Sequence, residues 1–207
     1  MIATRSAGKL RELRPIFQDA GVTVIDLAEA RIPESPAEAA IEAFDTFEAN
    51  AMAKAKYFHA RAGGRDVVAD DSGLEVLALG GVPGVRSKRW SGRLDLDAAA
   101  LDAANNQMLL QRMLGVADRR ARFVCAAAWC GAGGSLVVRG EVTGCIVDEP
   151  RGEHGFGYDP YFVSDELGMS LAEATVVQKQ AVSHRGRAFS ELLAALRARG
   201  VFDTRRA

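Results

Sequence analysis

Apolar positions recur along this chain at two spacings. Residues 1–4 read as a strand that runs straight into Arg5-Ser6-Ala7-Gly8-Lys9, and Leu10, Leu13, Ile16 and Phe17 then recur at helical spacing until Gly21. A second strand is predicted over 22–27. After a polar connection, Ser35-Pro36-Ala37-Glu38 forms a capping box with proline at the first helical position, which predicts one long helix from there to about residue 61. Residues 66–69 and 74–77 read as two strands flanking an acidic loop, Asp70-Asp71-Ser72-Gly73, and 80–84 as a compact turn. Asp95 or Asp97 opens a third long helix that stops at Gly115. Further on, ARFVCAAAWC and SLVVRGEVTGCIV read as two or three antiparallel strands joined by a Gly-rich turn. A Gly-rich loop, RGEHGFGYDP, follows, then a short helix near 170–174 and a terminal helix over about 187–199, ended by Gly200. Helices alternate with strands, so the predicted class is α/β, an elongated mixed β-sheet with flanking helices. No repeat, linker or low-complexity tract interrupts it, and residues 1–207 read as a single domain with two lobes.

Adjacent carboxylates at Asp70 and Asp71 are the least expected feature of this pattern. Asp, Ser and Gly all favour turns, and a turn is the better reading of the tetrad taken alone. Like charges held together at a partly buried strand end repel, however, and coexist only beside a cation or with a raised pKa. A metal site resolves that conflict. On the predicted long helix Glu38, Glu42 and Asp45 share one face, with Glu48 and Lys54 further along. Such a stripe is most often solvated, but magnesium needs only one or two carboxylates plus waters and substrate phosphates, so a helix glutamate and a strand-end aspartate are suitable ligands.

Three other segments carry possible chemistry. In ATRSAGK, backbone amides at a helix start, a glycine and Lys9 suit a phosphate, although no Walker loop is present and an ordinary Gly-containing turn explains the residues equally well. In GFGYDPYF, two glycines flank Phe156, whose ring either stacks on a nucleobase or falls back into the core. Lys179, Ser183, His184 and Arg185 gather cationic or switchable groups at the entry to the last helix, a plausible anion or carbonyl grip.

Composition narrows the classes. With 26 basic and 27 acidic residues the net charge is −1, so no overall field draws the chain to nucleic acid or an anionic membrane. Three cysteines, Cys125, Cys130 and Cys145, show no CxxC pairing and suit reduced core thiols. No signal-like or membrane-spanning apolar run occurs, and the expectation is a soluble, cytoplasmic protein.

Taken in order, ATRSAGKLRE, TFEANAMAKA at 46–55, ADDSGLEVLALGGVPGV at 69–85, GFGYDPYF and K-x-x-x-SHRGRA at 179–188 resemble the noncanonical purine nucleoside triphosphate pyrophosphatases, the inosine/xanthosine triphosphate house-cleaning enzymes. The resemblance covers nearly the whole chain. It implies Mg2+-dependent hydrolysis of dITP, ITP or XTP to the monophosphate and pyrophosphate by a homodimer, with a central nucleotide cleft between two lobes. Position by position it implies that Asp71 is the acidic catalytic residue and a metal ligand, that Glu42 is the second metal ligand, and that Asp70 and Lys54 support catalysis. It assigns Thr4, Arg5, Ser6, Ala7, Gly8 and Lys9 to the phosphate loop, Ser72 and Arg89 to substrate, Phe156, Gly157, Tyr158 and Asp159 to the base-proximal loop, and Lys179, His184 and Arg185 to the remaining substrate contacts. On this reading Arg185, His184 and loop amides near Phe156 face the 6-oxo group of the base. Four features depart from the family pattern: Ser6 stands where Asn is usual, Glu42-Ala43-Phe44-Asp45 replaces a usual Glu-Thr-Gly, Lys88 replaces a usual Ala, and little strand precedes Ala3.

Overall fold

The computed structural model describes residues 1–201. Its four-stranded sheet has the order β1-β2-β3-β4, with β1 Val67–Val76, β2 Arg120–Gly131, β3 Gly134–Ile146 and β4 Phe162–Ser164. β4 runs antiparallel to β3, with Cys145 opposite Val163. Ile2 forms an isolated parallel bridge to Val68, outside the four strands. Five α-helices accompany it among the described residues: α1 Ala7–Asp19, α2 Phe47–Arg61, α3 Ala98–Met113, α4 Val176–Val182 and α5 His184–Ala198. The α/β class with flanking helices is as expected. No helix of the described residues is long and apolar enough to cross a membrane.

Several elements differ from their predicted form. The two strands around the acidic pair are one continuous strand, β1, with Asp70 and Asp71 inside it. The long helix is broken: Pro36–Ala40 forms a single 3-10 turn with the predicted Ser35 capping box, and α2 starts afresh at its own cap, where Thr46 Oγ1 accepts from Ala49 N at 3.2 Å. Glu38, Glu42 and Asp45 therefore share no helical face. Residues 22–27 form no strand, although Ile2 N donates to Ile25 O at 2.8 Å. Asp97, not Asp95, caps α3. The helix expected near 170–174 is a turn, and the helix of that region is α4, capped by Thr175. The terminal helix α5 begins at His184, earlier than its apolar pattern announces.

The described residues group into two compact units. The first takes Met1–Asp71, Cys125–Gly140 and the chain from His184 onward. Its core joins Leu13, Ile16 and Phe17 of α1 to Phe189, Leu192, Leu193 and Leu196 of α5, with Val68, Cys125, Ala127 and Trp129 from the strands. Phe17 and Phe189 meet edge to face at 5.8 Å. The second unit takes Ser72–Val124 and Glu141–Ser183. There Leu109 and Met113 of α3 pack with Leu74, Val76, Phe123, Val142, Ile146, Tyr158 and Phe162, and the Phe123 and Phe162 rings lie 4.8 Å apart.

Candidate active site

The first unit assembles the charged residues. Successive side chains of a strand leave on opposite faces, so the neighbours Asp70 and Asp71 acquire different partners. Asp70, 1% exposed, takes Lys9 Nζ at 3.0 Å and Arg185 Nε at 3.3 Å on Oδ2, with Cys125 Sγ at 3.9 Å. Burial alone would lift the Asp70 pKa; Lys9, Arg185 and Lys54 together hold it well below the ordinary carboxylate range. Arg185 is itself buried, and its Nη1 ion-pairs with Glu12 of α1. A row of alternating charge results, Glu12-Arg185-Asp70-Lys9, delivered by three elements.

Asp71, 6% exposed, sits differently. It accepts from Asn50 Nδ2 of α2 at 2.9 Å. Burial pushes its pKa up to about 6, against the pull of Lys9 and Lys54, and nearby Glu42 adds to the rise. Lys54, one helical turn beyond Asn50, ion-pairs with Glu42 and donates to the Asp70 carbonyl at 2.9 Å. Burial disfavours the Lys54 charge, yet Glu42, Asp70 and Asp71 raise its pKa; burial likewise opposes ionisation of Glu42, which Lys54 and Lys9 hold low. The adjacent acids are thus one neutralised anchor and one strained carboxylate.

Glu42 and Asp71 are the carboxylates here that could hold a hard cation. Among the described residues no group of three or more His, Cys, Asp or Glu converges. A hard cation that keeps its waters and shares substrate phosphates needs no such cage. Glu42 and Asp71 are close enough to raise the Asp71 pKa, and oxygen donors of like charge are the chemistry it prefers.

The predicted phosphate loop is placed in part. Ser6 is the N-cap of α1, its Oγ accepting from Lys9 N at 3.3 Å, while Thr4 Oγ1 accepts from Ser6 N at 3.2 Å. The Ser6 hydroxyl therefore serves the helix start that Ala7, Gly8 and Lys9 form. Arg5 turns to Glu38, which receives Nε at 3.1 Å and Nη2 at 2.9 Å. Lys9 joins the acids; Arg5 does not.

The second unit builds a separate constellation from the loop at 155–159. Gly157 is held at both its backbone groups by α3: its N donates to Asp102 Oδ2 at 2.8 Å and its O accepts from Asn106 Nδ2 at 2.9 Å. Phe156 N donates to Asp159 Oδ2 at 2.8 Å, and the same oxygen takes Lys179 Nζ at 2.6 Å. The Lys179 ammonium stands 5.4 Å from the centroid of the half-buried Phe156 ring. Tyr158 is buried, its hydroxyl donating to Ser87 O at 2.8 Å. The Phe156 and Gly157 amides expected to face a base are engaged by carboxylates of the chain itself. Gly155 has φ +79°, and a Cβ there would run into the Asp159 carboxylate. Ser72 lies on β1, and Arg89 ends the 3-10 turn Gly84–Arg89.

With this geometry in place, the Ham1 family model matches residues 1–195. The chain belongs to the Ham1 family. It is 49% identical over 207 residues to a dITP/XTP pyrophosphatase of Mycolicibacterium paratuberculosis, covering 97% of this chain and 98% of that protein. It is 44% identical to one of Deinococcus radiodurans, covering 94% and 91%. Among solved structures, the Ham1 protein of Staphylococcus aureus superposes with a TM-score of 0.78 at 38% identity, covering 96% of this chain and 97% of that one.

Sequence reasoning passed over Glu12, Asn50, Asp102 and Asn106. Asn50 had a readable signal, a polar residue on the apolar stripe of a helix. Glu12 had none.

Proposed function

We propose that this chain hydrolyses the noncanonical purine nucleoside triphosphates dITP, ITP and XTP to the nucleoside monophosphate and pyrophosphate, using Mg2+. Membership of the Ham1 family and the naming of its relatives as dITP/XTP pyrophosphatases support the substrate class. The observation that carries the chemistry is the Asp71 carboxylate, buried on β1 with Asn50 Nδ2 on one oxygen at 2.9 Å and the Glu42–Lys54 ion pair nearby. A carboxylate held in that way can orient a water and take its proton.

In the proposed reaction a water oxygen attacks the α-phosphorus, the bond to the bridging oxygen of the β-phosphate breaks, and pyrophosphate leaves. Asp71 orients that water and receives its proton. Lys9 and Lys54 offset the charge of the triphosphate, about four negative charges, without losing their own partners on Asp70 and Glu42. Magnesium held by Glu42 and Asp71 would supply charge neutralisation and a more acidic water. Asp70 holds Lys9 and Arg185 in place. We assign His184, Phe156 and Lys179 to the substrate, with Lys179 ion-paired to Asp159. A homodimer in the cytoplasm accompanies this reading.

Product analysis with Mg2+ against ITP, XTP, dITP, GTP, ATP and dUTP tests it. Monophosphate and pyrophosphate released mainly from the inosine and xanthosine nucleotides are expected. Binding without turnover of any of them would sink the proposal.

A further inference from the structure

α2 braces the loop that carries Glu42 against the strand that carries the two acids. Its side chains Asn50 and Lys54 lie at i and i+4, hence on one face. Lys54 links Glu42 to the Asp70 carbonyl. One turn earlier, Asn50 accepts from Phe44 N on Oδ1 at 2.9 Å and donates from Nδ2 both to Phe44 O at 3.1 Å and to Asp71 Oδ2 at 2.9 Å. Only one orientation of the amide serves a backbone N–H with oxygen and two oxygen acceptors with nitrogen, so its sense is dictated by the partners. Asn50 is fully buried. Asparagine is a poor residue for a helix interior, and its presence there has a cause in these three bonds.

Lys54 holds the Glu42 side chain of this loop, and Asn50 holds its backbone. The Phe44 side chain is 51% exposed, so the 42–45 segment is not anchored by burying its aromatic ring. Its backbone is docked through Phe44 N and O, both on one amide.

From this we infer that Asn50 is a positioning residue that sets the spacing between the Glu42 loop and the Asp71 carboxylate by bonding both at once. The inference rests on the proposed hydrolysis at Asp71 and adds the residue that aligns its two acids. Asn50 touches no substrate in this role, so its loss acts on turnover and on the response to metal rather than on nucleotide affinity.

The test uses the full chain as wild type and two variants, Asn50→Ala and Asn50→Asp. Asn50→Asp keeps the shape and the bond from Phe44 N but cannot donate to Phe44 O or Asp71. Turnover of dITP with Mg2+ should fall at least about tenfold in both variants, with KM changed less than about threefold, since small misalignments of reacting groups cost rate before binding. Without substrate, Mn2+ should raise the unfolding midpoint of wild type and do so less in both variants. In wild type the Phe44 amide should be protected from hydrogen exchange. A folded Asn50→Ala with wild-type kcat and an unchanged Mn2+ response would overturn the inference, as would a rise in KM alone. Should neither variant fold, rapid exchange at Phe44 in wild type overturns it and protection supports it. An inactive wild type would instead remove the hydrolysis reading itself, so the two failures are distinguishable.

Discussion

Replacing the two adjacent aspartates by asparagine should move stability in opposite directions. Each unit of pKa displacement corresponds to about 1.4 kcal/mol between the protonation states. The Asp71 pKa rises from the ordinary 3.8 to about 6. Its ionised form therefore costs about 3 kcal/mol of folding free energy at about pH 8, where the group is charged in both folded and unfolded chains. A raised carboxyl pKa favours folding most below the unfolded value and loses that advantage as pH climbs through the folded value, so the window runs from about 4 to about 6. Asparagine mimics the protonated acid and still accepts from Asn50. Asp71→Asn should then be more stable than wild type by about 1 kcal/mol at about pH 4.5 and about 3 kcal/mol at about pH 8, without metal and with turnover abolished. For a chain of this size the larger figure is about 6–12 °C in Tm. Asp70→Asn should do the reverse. It strips Lys9 and Arg185 of their shared carboxylate, and breaking a buried ion pair from one side costs about 3–5 kcal/mol. Because the folded Asp70 pKa is depressed, its contribution is complete above the unfolded value of about 4 and lost only as pH falls below it. Urea or thermal unfolding in EDTA at the two pH values measures both. An Asp71→Asn protein no more stable than wild type at the higher pH, or equally stabilised at both, would refute the account of Asp71 as a strained acid.

Two further outcomes follow from local geometry. Gly140 of β3 passes so near α5 that a Cβ would collide with the His184 carbonyl and Ala188 N; Gly140→Ala should push the start of α5 away, weaken the Arg185 contact to Asp70, and lower both Tm and turnover, with unchanged turnover counting against it. Ser6→Ala removes the α1 cap and should cost about 1 kcal/mol in denaturant unfolding, whereas Ser6→Asn should cost almost nothing, because both residues cap helices.

The sequence by itself determined the class, most helices and the family. Amphipathic spacing in α1, the caps at Ser35 and Asp97 and the five ordered motifs are local signals, legible because they involve residues a few positions apart. Local signals also misled where a longer-range partner prevailed. A capping box with proline at the first helical position predicts one helix from Ser35 to about residue 61, but the Phe44 backbone is claimed by the Asn50 amide and α2 restarts at Thr46. Adjacent acids suggested a loop, but pairing with a neighbouring strand carries β1 straight through them. Only the tertiary structure decided which aspartate is neutralised and which is strained. Strand alternation sends the two side chains to different surroundings, and the cations that settle the matter, Lys9 and Arg185, come from positions far away in the chain. Electrostatic energy depends on distances between side chains after folding, and no spacing along the chain encodes those.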